Sequence, residues 1–243
     1  DEATLDLLRY LSRRLRGAAV LLLATYRDDG LAAADPLRVA LGDLGSQRAT
    51  RRVGLVPLSP GAVRTLAGAS SLSAPDLYRL TGGNPFYVTE VLRAGVEEVP
   101  PSARDAVLAR AARLGDGARE VLDVAALTGA RIEAPLLESV TGCQPSVLDE
   151  LLESGLLVAD AAWVRFRHEM ARLAVAHAVA GHRSQVIHGL VLAALRSFGC
   201  DDDARLAFHA EAAGDGAAVL RYAAAAARRA ARLKSHREAA AQY

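Results

Sequence analysis

Leu5, Leu8, Leu11 and Leu15 recur at helical spacing with Arg9, Arg13 and Arg14 on the opposite side, which predicts an amphipathic helix stopped at Gly17. The pattern then changes. Ala19-Val20-Leu21-Leu22-Leu23-Ala24-Thr25-Tyr26-Arg27 is an unbroken apolar run, too short for a comfortable helix. It has the form of a strand buried on both faces, and so implies a parallel sheet. A short helix over residues 37–44 and a short strand over Arg52-Val53-Gly54-Leu55 continue the alternation expected of an α/β unit. Ser59 and Pro60 then supply a cap and a first position for a helix running through Leu66.

Beyond that point the pattern is helical. A short helix over 74–80 is ended by Thr81-Gly82-Gly83-Asn84-Pro85, whose paired glycines and proline force an abrupt reversal into a helix over 86–92. Phe86 and Tyr87 read as core residues of that helix. Pro101-Ser102-Ala103-Arg104-Asp105 offers a cap for the next helix, and further helices are predicted over 118–127, 135–140 and 146–153. Gly155-Leu156-Leu157-Val158 and Trp163-Val164-Arg165-Phe166 then read as two short strands joined by a turn at 160–162. Three helices followed by a hairpin describe a winged helix. Residues 168–243 are helical throughout, with loops near 199–203 and 214–216, and residues 215–243 have the small-residue look of helical-hairpin repeats.

Composition narrows this further. With 51% hydrophobic but only 5% aromatic residues, the 243-residue chain must pack closely approaching helices through Leu and Val layers. Its net charge of +1, from 29 basic and 28 acidic residues, gives no global field to attract a polyanion. Cys143 and Cys200 lack metal-type spacing, and neither a signal peptide nor a membrane span is legible, so the chain reads as cytoplasmic. The first residue is Asp1, the sole methionine is Met170, and Tyr243 ends an uncapped helical pattern, so both ends read as cut.

Four stretches carry a family resemblance: the Asp1-Glu2-Ala3-Thr4 start, the Ala24-Thr25-Tyr26-Arg27 strand end, the Leu80-Thr81-Gly82-Gly83-Asn84-Pro85-Phe86 turn, and Phe166-Arg167-His168-Glu169. In order and spacing the chain resembles the signal-transduction ATPases with numerous domains (STAND), particularly the ATPase core of large LuxR-type bacterial transcriptional regulators. The resemblance implies a mainly α fold with a partial α/β region. It divides the chain into the remnant of an AAA-like nucleotide-binding domain (1–58), a helical lid (59–97), a winged-helix domain (98–180), and a helical linker with the start of a TPR-like array (181–243). The implied cofactor is ATP or ADP with Mg²⁺, bound by a larger parent. A phosphate-binding loop needs a lysine after its glycines, and Lys234, the sole lysine, has no glycine loop before it. The Walker A and Walker B segments are therefore expected to lie before Asp1. This polypeptide alone is expected neither to hydrolyse ATP nor to hold nucleotide tightly.

The resemblance also assigns residues. Thr25 and Arg27 become sensor residues, with Arg27 facing the terminal phosphate. The residues alone are equally compatible with a strand running into a polar loop. Gly83, Asn84 and Pro85 become a turn packed beside adenine, although turns of this composition commonly just join helices. His168 corresponds to the histidine that reads the diphosphate and holds the closed state. A lone histidine at a helix start also serves for capping or packing.

No metal cluster is expected from His177, His182, His188, His209 and His236, nor is there a nucleophile signature such as Gly-x-Ser-x-Gly. The arginine groups at 13–16, 51–52 and 228–232 read as solvated faces or domain contacts. The helix over 146–153 carries Asp149, Glu150 and Glu153 without a basic residue, which argues against a winged helix that binds DNA. The expected partners are a protein or small-molecule inducer acting through the repeats and self-association of the parent, with no DNA or membrane contact. The rival expectation is a nucleotide-independent helical scaffold for protein partners.

Overall fold

A computed structural model describes residues 2–15, 18–26, 35–47, 49–68, 70–95 and 99–232. Two helices come first, α1 (Glu2–Arg14) and α2 (Pro36–Gly45). They are tied by Arg9 Nε donating to Asp43 Oδ2 at 3.0 Å and by Gln47 donating to Ser12 at 3.1 Å. Asp35 caps α2 by accepting from the Leu37 N–H at 2.7 Å, with Pro36 at the first position. The predicted stop at Gly17 lies outside the described residues.

The buried parallel strand does not form. Residues 20–26 take no regular structure, with Leu21 90% and Leu23 82% exposed. Residues 51–57 are likewise irregular, and Leu55 is exposed. A strand buried on both faces needs neighbours along its edges and layers above and below it, and among the described residues none pairs with either segment. Apolar character alone cannot bury a strand.

From Ser59 onward most local signals are realised, but the helical run expected from residue 168 breaks at Val179-Ala180, where the backbone turns extended between two helices. Ser59 accepts from the Ala62 N–H at 3.1 Å and opens α3 (Pro60–Ala67). Ser73 caps α4 (Ala74–Thr81) in the same way, and Asn84 opens α5 (Pro85–Ala94). Val63, Ala67, Leu77, Val88 and Val91 of these three helices form a small core with Ala103 and Met170. Its members come from α6 (Pro101–Ala111) and from α10 (Glu169–Ala178) as well, so α3–α5 are welded to the next region of the chain.

The larger core is built from α6, α7 (Asp116–Thr128), α8 (Ala134–Thr141), α9 (Pro145–Glu153), α10 and α11 (Gly181–Ser197). Leu122, Leu137, Leu151 and Val191 are all buried in it. The cap expected at the start of α6 takes another form. Pro100 is its N-cap without a side-chain bond, and Ser102 instead donates to the buried Glu90 of α5. Glu150 of α9 accepts from the Gly115 N–H at 2.8 Å at the start of α7, where the helix dipole favours a carboxylate.

The sheet that exists is antiparallel, with strand order β1-β3-β2. It comprises β1 (Arg131–Glu133), β2 (Leu157–Asp160) and β3 (Trp163–Phe166). The hairpin matches its sequence signal and turns through Ala161 at φ 52°. The third strand, β1, is too short to show a period of its own. Ile132, Val164, Leu157 and Phe166 face the core, in the register Ile132↔Val164 and Leu157↔Phe166.

Helices α11, α12 (Asp203–Ala213) and α13 (Gly216–Arg232) stack side by side. Arg205 of α12 grips Glu133 of β1 with two bonds of 2.8 and 2.9 Å, fastening this stack to the sheet. Between α11 and α12, the buried rings of His188 and His209 meet Nδ1 to Nδ1 at 2.9 Å. Burial pushes both imidazoles below their ordinary value, His209 to about 4, where the neighbouring His188 and Arg205 add to the effect. No group of three or more metal-binding side chains occurs among the described residues, and no helix there is long and apolar enough to cross a membrane.

Candidate functional site

The turn between α4 and α5 is fixed by its own residues. Gly82 ends α4 in the left-handed region, φ 60° and ψ 21°, and Gly83 follows at φ 73°. Two successive residues at positive φ explain the double glycine. Thr81, fully buried, donates to Leu77 O at 2.7 Å and accepts from the Gly83 N–H at 3.3 Å. Asn84 Oδ1 accepts from the Phe86 N–H at 3.0 Å, and Pro85 starts α5.

What lies against the two glycines rules out a side chain at Gly83 and crowds one at Gly82. A Cβ on Gly83 would sit 2.2 Å from the Leu58 carbonyl oxygen, because the Leu58 N–H donates to Gly83 O at 2.8 Å and pulls the two backbones together. A Cβ on Gly82 would sit 3.1 Å from His168 Nδ1. The close approach that this corner allows is thus to the chain's own Leu58 and to an imidazole from another part of the molecule.

His168 arrives there for a structural reason. It is the N-cap of α10, at φ −134° and ψ 134°, directly after β3, and two residues later Met170 plugs into the α3–α5 core. The sheet and the methionine anchor the histidine on either side. Its ring stands edge-on to Tyr87, with centroids 5.3 Å apart, and its Nε2 lies 3.4 Å from Asn84 Nδ2. With Oδ1 of Asn84 already accepting from Phe86, Nδ2 is the atom presented, and an amide nitrogen only donates. In the tautomer that carries its ring proton on Nδ1, Nε2 accepts from this amide.

Of the residues singled out by sequence, Gly83, Asn84, Pro85 and His168 come together at one seam between α4–α5 and the β3–α10 junction. Thr25 does not join them through any hydrogen bond among the described residues, and lies instead in the exposed segment that failed to become a strand. Arg27 lies outside the described residues. Phe86 corrects the expectation of a core residue: it is 46% exposed at the lip of the turn, whereas Tyr87 packs against both cores. Sequence reasoning missed Gly82 and Leu58 as site members. The second consecutive glycine was a signal for the former, but nothing local marks Leu58, whose role comes from the path of the linker.

No family model matches the chain. It is 28% identical over 250 residues to an uncharacterized protein, R02095, of Rhizobium meliloti (strain 1021), a match that covers 88% of this chain and 23% of that relative. The chain therefore spans about a quarter of the length of the relative.

Proposed function

We propose that this chain is part of a signal-responsive regulator of the STAND type, related to LuxR-type transcriptional regulators, in which nucleotide state controls how a helical lid packs on a winged helix. The lid is α3–α5, the winged helix runs from α6 to α10, and α11–α13 begin a TPR-like array through which an inducer acts. The observation that carries this reading is the meeting of His168 with Gly82 and Asn84, two sequence signals 84 residues apart that share one seam.

The residues present fit one side of a nucleotide site. Asn84 and His168 offer polar groups at the seam, and Phe86 offers an exposed ring beside it. ATP or ADP with Mg²⁺ would be held mainly by a phosphate-binding segment of the longer parent. His168 held against Asn84 is a suitable reporter, because a ligand that engages the imidazole competes with that contact.

The test uses the full-length parent. Replacing His168 with Ala is expected to speed release of a fluorescent ADP analogue in stopped-flow measurements, and an unchanged off-rate removes His168 from the site. A nucleotide-independent scaffold is the second reading, favoured by the exposure of Leu21, Leu23 and Leu55 and by Thr25 lying apart from the seam. A parent that binds no nucleotide in equilibrium dialysis would select it.

A further inference from the structure

The outer face of the three-stranded sheet carries a register with an electrostatic cost. Because Ile132 and Val164 face the core as partners, Arg131 and Arg165 lie directly opposite one another on the other face. Like charges so placed destabilise an antiparallel pair. Alternation along β3 puts Trp163 on the same face, and Arg167, just past the strand, is exposed beside it.

Among the described ion pairs no carboxylate neutralises these arginines. Arg131 lies over the Trp163 ring at 4.9 Å, while Arg165 and Arg167 donate to the backbone carbonyls of Phe166 at 3.4 Å and Gly155 at 3.1 Å. Glu133, the acid on β1, is engaged by Arg205. Asp160 stands opposite Trp163, at the far end of the hairpin from Arg167.

A cleft of about 650 Å³ opens beside this face, between α4, the end of β3 and the start of α10. Arg165, Arg167, Arg79 and His168 line it, over apolar surface from Leu77 and Phe166. Its two acids are spent: Asp76 pairs with Arg79 at 2.7 Å, and Glu169 pairs with Arg172 at 2.6 Å. Arg165 and Arg167 are left as two uncompensated positive charges above an apolar floor. Asn84 and Pro85 do not line the cleft, but Gly82 of the same turn does, so it meets His168 alongside that turn.

We propose that this cleft binds a phosphorylated small molecule with an apolar body. Two guanidinium groups match the charge of a phosphate monoester and can grip its oxygens in forked pairs. The volume is that of a small-molecule site. The ligand offsets the repulsion between Arg131 and Arg165, and it touches His168 from the α4 side, so occupancy bears on the same imidazole that Asn84 holds.

The experiment uses the whole 243-residue chain, ¹⁵N-labelled, titrated at fixed ionic strength with phenyl phosphate, inorganic phosphate and a short DNA duplex. Phenyl phosphate is expected to give saturable shifts at the amides of residues 76–82 and 165–169, and to bind about ten-fold tighter than inorganic phosphate. The double variant Arg165→Gln, Arg167→Gln should weaken phenyl phosphate at least about ten-fold, the Lys pair should restore part of the affinity, and Arg104→Gln on α6 should change nothing. Absence of saturable shifts, shifts spread evenly over the arginine-bearing surface, or a Gln pair that binds like the wild type would each overturn the site. Duplex DNA that shifts residues 131 and 163–167 while phenyl phosphate is inert would also overturn it, making the sheet a nucleic-acid face.

Discussion

Residues 20–26 and residues 118–126 are both rich in apolar side chains, yet they meet opposite fates. In the first, Leu21 and Leu23 lie open to solvent and no hydrogen-bond ladder forms; in the second, Val121 and Leu122 are 1% exposed at the centre of the main core. The helix satisfies its backbone internally and needs only a face to pack against. A central strand must find its backbone partners elsewhere in the chain. The contrast teaches that a helical signal is close to self-sufficient, whereas a buried-strand signal is a request for partners.

The largest effect should come from emptying the packed region. Leu122→Ala is expected to cost about 3–5 kcal/mol in urea unfolding of residues 99–232, by lost burial and a residual cavity. A cost below about 1 kcal/mol would erase the distinction between the two regions.

Next in size is the histidine pair. Because the folded pKa values of His188 and His209 are depressed, the unfolded chain binds more protons as the pH falls. Their contribution is complete above pH 6.5 and is lost as pH falls toward 4, by about 3 kcal/mol for His209. The groups facing the pair are Arg205, which is tied to Glu133, and the backbone of Thr128, which acts in the opposite direction. Denaturant midpoints measured from pH 7 to pH 4 should show this slope, and His209→Gln should flatten it.

Two glycines then separate backbone strain from crowding. Gly83→Ala combines positive φ with a clash on the Leu58 carbonyl and should cost about 2–4 kcal/mol. Gly95→Ala meets open space at φ 69°, and should cost only about 1 kcal/mol. Equal costs, read from thermal unfolding, would mean that the Leu58 approach is not held in solution. At the small end, Leu21→Ser should change stability by less than about 0.5 kcal/mol, and the amides of residues 20–26 should exchange with solvent at nearly unprotected rates. Strong protection there would indicate that the segment finds strand partners after all.

The legibility of the site obeys the same division. The Gly82-Gly83-Asn84-Pro85 corner was readable because each residue type answers a local backbone demand: left-handed φ, a cap, then a first helical turn. His168 could be placed at a helix start by the end of the β3 pattern, but its approach to Asn84 depends on Met170 docking into a core built from helices far away in sequence. Thr25 was misplaced because its strand assignment presumed a sheet that the described residues do not supply. The His188–His209 contact left no sequence signal at all, since a 21-residue separation has no meaning until α11 and α12 pack.

The amino-acid sequence by itself determined most helix starts and stops from Ser59 to Gly214, though not the break between α10 and α11, and it marked the hairpin of β2 and β3, because capping, proline, glycine and side-chain period act within a few residues. Only the tertiary structure decided that β1 joins the hairpin, that Arg131 faces Arg165, and that an imidazole closes on a glycine corner. Those outcomes depend on the free energy of burying surfaces from distant parts of the chain, a quantity set by which surfaces meet and legible in no single stretch.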